Sequence, residues 1–290
     1  MRFIHLTDPH LTSLGATSFS AQRGKRALGY LSWKRRRQYV HLRDVLDQTT
    51  QAIKAEQPDQ ILITGDLVHI CLPDEIEQAR LWLESFGTPD QITLVPGNHD
   101  IYQSECWRNI AGLWGDYLGL KAAPTSDLPA DSYPQVKQFG SFNLISLSSS
   151  EAMPVFSARG RLGDQQLKAL QNTLVSLSGQ PSGWLIHHPP LPGLTGKRRA
   201  LSETRALENL IKQYQPVFVL YGHNHRNVET LVKQTRVLGT ASASSKYDAS
   251  FRVIDVSADD KETTVTSSLR QRDPVSGEFS EIDGKTWNIC

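Results

Sequence analysis

Short apolar runs along the chain alternate with longer stretches in which apolar residues recur every three or four positions. The runs Arg2 to Thr7, Gln60 to Thr64, Gln91 to Val95, Ser141 to Ser146, Gly183 to Ile186 and Val217 to Tyr221 are rich in Ile, Leu, Val and Phe and are predicted to be strands. Between Val40 and Glu56, the residues Leu42, Val45, Leu46, Thr49 and Ile53 share one helical face. The same spacing predicts helices over Asp74 to Phe86, Ser104 to Tyr117, Asp164 to Leu177 and Thr204 to Tyr214. This rhythm reads as a layered α/β domain. After His225 the texture changes to short alternating segments, Glu229 to Val232, Arg236 to Leu238, Arg252 to Val256 and Thr263 to Ser268. These are expected as antiparallel strands that finish a second sheet. The final stretch carries Asp273-Pro274, Ser276-Gly277 and Asp283-Gly284, and is expected as a loose tail. With no internal repeat and no low-complexity linker, the organisation is one domain over residues 1–270 and a tail over 271–290.

Composition narrows the class. A chain of 290 residues with 39% hydrophobic content can bury a full core. Its three cysteines, Cys71, Cys106 and Cys290, are odd in number, far apart and free of any C-x-x-C pair. Neither a disulfide framework nor a thiolate metal site is expected, and a reducing cytosol fits. Met1 to Thr7 alternates like a strand and lacks the layout of a signal peptide, and no apolar run reaches the roughly 18 residues of a membrane span. A cytoplasmic protein is expected, with attachment at the inner membrane surface left open.

The net charge of +1 hides an asymmetry. No acidic residue occurs from Pro9 to Arg43, whereas Arg23, Lys25, Arg26, Lys34, Arg35, Arg36, Arg37 and Arg43 are basic, with Leu28, Tyr30, Leu31 and Trp33 interleaved. The segment reads as a basic amphipathic, cap-like insertion at about residues 17–43. Three uses are open for it: a solvated helix face, attraction of an anionic substrate, or docking of residues 23–43 on anionic lipid or nucleic acid.

Five clusters of Asp, Asn and His carry the candidate chemistry, most of them where an apolar run ends: Asp8-Pro9-His10, Gly65-Asp66, Gly97-Asn98-His99-Asp100, His187-His188-Pro189-Pro190 and Gly222-His223-Asn224-His225. Loops at the carboxyl ends of strands converge on one crevice in layered α/β folds, so these side chains are expected to meet. Such nitrogen and oxygen donors suit Zn, Mn or Fe(II), and a set larger than the four ligands of a structural zinc site implies two ions bridged by one carboxylate, Asp66. Two ions roughly 3.5 to 4 Å apart can activate water and clamp an in-line phosphoryl displacement. The glycines at 65, 97 and 222 would let the backbone turn and approach the site closely. His69, three residues beyond Asp66, is a candidate substrate contact. So are Arg26 in the insertion and the anion-binding rim of Lys197, Arg198 and Arg199.

In their order the five blocks resemble the calcineurin-like metallophosphoesterase family, whose pattern runs D-x-H, G-D, G-N-H-D/E, H and G-H-x-H. They span Asp8 to His225, about three quarters of the chain. The resemblance implies a four-layer α-β-β-α sandwich of two mixed sheets flanked by helices. It also implies two divalent ions, with Mn preferred over Fe or Zn: one held by Asp8, His10, Asp66 and His225, the other by Asp66, Asn98, His187 and His223. His187 is favoured over His188 as the ligand. His99 would contact the phosphoryl oxygens or protonate the leaving group with Asp100 orienting it, and a metal-bridging hydroxide would be the nucleophile.

Two branches of the family bear on the substrate. One includes bacterial cyclic-AMP phosphodiesterases, and the other hydrolyses the pyrophosphate of UDP-2,3-diacylglucosamine in lipid A biosynthesis. The expectation is therefore a phosphodiesterase or pyrophosphatase acting on a nucleotide or a nucleotide-lipid. A nuclease ranks below these, because no long basic, aromatic-studded surface lies beyond residues 23–43 and nucleic acid is not an expected partner. Scaffold relatives that have lost catalysis form the remaining alternative; they lack ligands, whereas every ligand position is filled here.

Overall fold

The computed structural model describes residues 1–11, 13–15, 24–177, 179–258 and 263–289. Arg23 and Cys290, together with the first part of the insertion, lie outside the described residues. Two six-stranded mixed sheets face one another. The first has the order β12-β11-β10-β1-β2-β3 and the second β4-β5-β6-β7-β9-β8. In chain order the strands are β1 (Arg2–Leu6), β2 (Gln60–Ile63), β3 (Ile92–Leu94), β4 (Gln135–Phe139), β5 (Phe142–Ser146), β6 (Ser182–Leu185), β7 (Phe218–Tyr221), β8 (Val228–Val232), β9 (Thr235–Gly239), β10 (Ser250–Ala258), β11 (Thr263–Arg272) and β12 (Phe279–Ile289). The helices are α1 (Lys25–Arg35), α2 (Arg43–Ala55), α3 (Pro73–Phe86), α4 (Cys106–Trp114), α5 (Gly163–Leu177) and α6 (Thr204–Tyr214).

The strands that carry the site run parallel. β1, β2 and β3 pair in parallel in the first sheet, with Ile4 opposite Ile61 and Leu62 opposite Thr93. β5, β6, β7 and β9 do the same in the second. Each of these strands is buried over all or all but one of its residues, as parallel strands covered on both faces are. The sheets meet through aromatic packing: Phe3 of β1 lies 5.5 Å from Phe142 of β5 and 6.5 Å from Phe218 of β7, and the latter two are 5.7 Å apart. On the outer face of the second sheet, Leu170 and Leu174 of α5 and Leu207 and Ile211 of α6 bury against Trp184, Val219 and Tyr221. The four-layer sandwich is thus the architecture found.

Two expectations about the second half need correction. The strands after His225 do not all finish one sheet: β8 and β9 close the second, whereas β10, β11 and β12 extend the first from β1. Nor is the end of the chain loose. Residues 279–289 form β12, paired antiparallel along β11, and Phe279 and Trp287 pack against the core.

The basic insertion forms α1, but it has no single apolar face. Trp33 is buried and Tyr30 packs on the core, while Leu28 and Leu31 are exposed. The amphipathic expectation therefore fails, because the apolar residues are spread around the helix and the buried ones are used within the fold. α1 packs closely enough at Gly29 that a Cβ there would stand 2.5 Å from Ile70 Cγ2 and from the Tyr102 hydroxyl. Lys25 straps the helix down by donating to the carbonyls of Tyr102 and Met153, at 3.0 and 2.9 Å. Among the described residues, no helix is long and apolar enough to cross a membrane.

Candidate metal centre

Asp8 and His10 follow β1, Asp66 follows β2, Asn98 follows β3, His187 follows β6, and His223 and His225 follow β7. The carboxyl ends of five parallel strands from both sheets therefore deliver all seven side chains to one crevice. The loops do so in an unusual backbone conformation: Asp8, His10, Asp66, His223 and His225 all have positive φ, between 40° and 67°. L-residues adopt this region at a cost of order 1–3 kcal/mol each, and persist there only where the surroundings fix them. Close approach of loops does the fixing. A Cβ on Gly97 would stand 2.1 Å from Asp66 Oδ1, and one on Gly222 would stand 1.9 Å from Thr7 Oγ1 and 2.6 Å from Asp8 Oδ2.

Two clusters share the Asp66 carboxylate. Asp8, His10, Asp66 and His225 bring one donor atom each within 4.8 Å of one another, with Asp8 Oδ1 3.1 Å from His225 Nε2. Asp66 Oδ2 lies 3.9 Å from His10 Nε2 on that side and 3.5 Å from His187 Nε2 on the other. His187 Nε2 is in turn 3.2 Å from Asn98 Oδ1 and 3.3 Å from His223 Nδ1. Donors held about 2.1 Å from a common ion stand roughly this far apart.

The electrostatics point the same way. Burial, with Asp8 and Asp100 close by, pushes the Asp66 carboxyl well above the usual carboxylate range. Burial also holds His10, His187 and His223 below the ordinary imidazole value, so they present neutral rings. His10 Nδ1 is tied to the Val68 carbonyl at 3.0 Å and His187 Nδ1 to the Thr64 carbonyl at 2.6 Å, which turns each Nε2 inward with its lone pair. His10 Nε2 and His223 Nε2 are buried without a hydrogen bond. Leaving such groups unmet costs about 1–3 kcal/mol each, so the donor set fits divalent cations. His188 also brings a donor nitrogen within 4.8 Å of those of His187 and His223, but its Nδ1 meets Ser149 Oγ at 2.8 Å and its Nε2 the Ala158 carbonyl at 3.3 Å.

Three site expectations are corrected by the contacts. Asp100 does not orient His99, because its carboxylate accepts the backbone N–H groups of Asp66, Leu67, Val68 and Gly97 at 2.8 to 3.3 Å. His69 is buried and stacked on His10, ring centroids 5.0 Å apart, and is not among the residues lining the cavity above the clusters. Arg26 is consumed by the carbonyls of Ile70 and Cys71 and by Glu105, at 3.2, 2.8 and 3.2 Å.

Above the clusters opens a cavity of 820 Å³ lined by Arg37, His41, Asp66, Asn98, His99, Arg199, His223 and His225. A neighbouring cavity of 510 Å³ shares Arg37, Asn98, His99 and Arg199, and is otherwise walled by Leu28, Tyr102, Met153, Val155 and Phe156. Arg198 lines only the second cavity, and Lys197 is an exposed residue outside both. Arg37, one of the basic residues of the insertion, lies 3.0 Å from His99 Nδ1; it and His41, which belongs to none of the five blocks, both follow α1. Cys71 and Cys106 are buried free thiols away from the cavity.

Comparison with known proteins agrees with this geometry. The chain is 27% identical over 189 residues to a glycerophosphodiester phosphodiesterase of Enterobacter lignolyticus, a match covering 63% of this chain and 61% of that protein. It is 29% identical over 199 residues to a probable cyclic nucleotide phosphodiesterase of Synechococcus, covering 68% of this chain and 69% of the other. Among solved structures it is similar in fold to the purple acid phosphatase PPD1 of yellow lupin, with a TM-score of 0.54 and 13% identity over 99% of this chain and 53% of that one. The clusters at the site are groups that could hold metal ions, as expected of a metal-dependent phosphoesterase. Residues 1–227 match the profile of the calcineurin-like phosphoesterases, and the chain belongs to that family.

Proposed function

We propose that the chain hydrolyses phosphodiesters or pyrophosphates of small nucleotide-type substrates, using two divalent ions. The observation that carries this reading is the position of Asp66 Oδ2 between His10 Nε2 and His187 Nε2, at 3.9 and 3.5 Å, where one carboxylate can serve both clusters. Asp8, His10, Asp66 and His225 would hold the first ion, and Asp66, Asn98, His187 and His223 the second. His187 is preferred to His188 because both nitrogens of the latter are already engaged. The ions supply Lewis acidity and lower the pKa of water toward neutrality. Mn is the first choice for loading, with Fe and Zn accepted by the same donor set.

The protein's own groups do the rest. His99 and Arg37 stand side by side on the cavity wall with Arg199 beside the His223 carbonyl, 2.5 Å from its NH2 group. Guanidinium groups there would bind phosphoryl oxygens and hold the ester in line. His99 would contact the same oxygens or the leaving group.

The similarity to enzymes of glycerophosphodiesters and cyclic nucleotides favours a small diester. A second reading, a nucleotide-lipid such as UDP-2,3-diacylglucosamine, is favoured by the apolar walls of the adjoining cavity, where Leu28, Val155 and Phe156 lie next to Arg37 and Arg199. Hydrolysis of bis-p-nitrophenyl phosphate, cyclic AMP, glycerophosphoethanolamine and UDP-2,3-diacylglucosamine by Mn-loaded protein, against an EDTA-treated control, tests the proposal. EDTA-sensitive turnover of any of them supports it, and the pattern selects the substrate. No turnover of all four with two metals bound would favour a scaffold.

A further inference from the structure

We propose that His41 is an additional metal ligand, giving the first-ion site a third imidazole beside His10 and His225. The inference rests on the metal-site reading above. His41 belongs to none of the five motif blocks. Its ring nevertheless stands edge-on to His10, with centroids 4.5 Å apart, and to His225, at 5.2 Å. One ring nitrogen from each of His10, His41 and His225 lies within 4.8 Å of the other two.

The tautomer follows from the neighbours. Ser242 Oγ donates its only proton to the Asp8 carbonyl at 2.6 Å, so toward His41 Nδ1, 3.2 Å away, it can only accept. In the tautomer that makes this bond Nδ1 carries the hydrogen, and Nε2 keeps its lone pair. Ser244 Oγ, 3.0 Å from the same Nδ1, holds the ring from a second direction. His10 and His187 are arranged alike, with Nδ1 anchored outward and Nε2 free to ligate.

The backbone is equally fixed. Leu42 N–H donates to the Ser244 carbonyl and Lys246 N–H to the Val40 carbonyl, both at 2.9 Å, and His41 pairs with Ser245 as an antiparallel bridge. His41 thus reaches the cavity from a segment stapled to the loop that also supports Asp8. A further neutral imidazole shifts a carboxylate-rich site toward Zn and Fe(II), the ions that imidazole suits.

The test compares wild type with His41→Ala and His41→Phe; the latter keeps a ring edge between His10 and His225 and removes both nitrogens. Bound metal per chain is measured by elemental analysis across a series of chelator-buffered free Zn concentrations, and the visible absorption of the Co(II)-loaded proteins is recorded. The expected result is two ions in wild type. In both variants one ion should bind about 10–100-fold more weakly, with a changed Co(II) spectrum. If one variant does not fold, the other reads the same quantities. Unchanged affinities and spectrum in a folded variant overturn the proposal, even where turnover falls, since His41 would then touch substrate alone. Wild type binding fewer than two ions would instead contradict the underlying metal-site reading.

Discussion

The Asp100 carboxylate accepts the backbone N–H of Asp66 at 2.8 Å, so a residue next to His99 in sequence acts on the loop that carries Asp66. With the N–H groups of Leu67, Val68 and Gly97 also bound, it clamps the loops after β2 and β3 together. Asp100→Asn places an amide NH2 among those donors and leaves at least one N–H unmet. Unfolding free energy should fall by about 1–3 kcal/mol, with weaker metal binding alongside. Denaturant melts and metal analysis check this. A variant of unchanged stability whose only defect matches that of His99→Ala would return Asp100 to the role of orienting His99.

His99 and Arg37 share the cavity wall without belonging to either cluster. His99→Ala should lower kcat by about 10²–10⁴-fold with both metals retained, as loss of a positioned proton-transfer or oxyanion partner does. Arg37→Met should lower kcat/KM by about 10²–10³-fold on the same grounds. Loss of a metal ion in either variant, measured by elemental analysis, would place that residue among the ligands.

Gly97 has no room for a side chain, since its Cβ would meet Asp66 Oδ1 at 2.1 Å and Asp66 N at 2.3 Å. Gly97→Ala should displace the shared carboxylate and remove turnover, while far-ultraviolet circular dichroism stays native. Full activity in this variant would show that Asp66 has another position from which it can work.

His5 lies buried between the sheets, its Nε2 2.8 Å from Thr64 Oγ1 and its Nδ1 3.0 Å from Thr240 Oγ1. Burial, reinforced by Arg252, lowers its pKa to about 3. The folded value is below the unfolded one near 6.5, so the unfolded chain binds the proton first as pH falls. His5's contribution to stability is complete above about pH 6.5 and declines by up to about 1.4 kcal/mol per pH unit down to about pH 3. Urea unfolding of wild type and His5→Gln from pH 4 to 7.5 should show a shallower acid slope in the variant. Parallel slopes would contradict this.

The seven candidate ligands were legible as a group because each sits at a strand's end inside a spaced motif, and the parallel strands β1, β2, β3, β6 and β7 bring those ends together. Arg37 and His41 were not, since only long-range pairing with Ser244, Ser245 and Lys246 carries their segment onto the site. The same limit applies to sheet edges. β4 and β12 are edge strands with polar, exposed residues, and Asp283-Gly284, which resembles a turn, lies within β12 beyond an irregularity in register at Leu269 and Arg270. An edge strand needs only one apolar face, and Phe279 and Trp287 supply it with seven residues between them, too sparse a pattern to read as a strand.

The proposed function depends on Asp66 serving two ions at once. Elemental analysis of Mn-loaded wild type and Asp66→Ala after dialysis, with bis-p-nitrophenyl phosphate hydrolysis followed in parallel, tests it directly. Two ions per wild-type chain, loss of tight binding at both positions in Asp66→Ala, and no turnover by the variant are expected. Two tightly held ions and retained turnover in Asp66→Ala would contradict it.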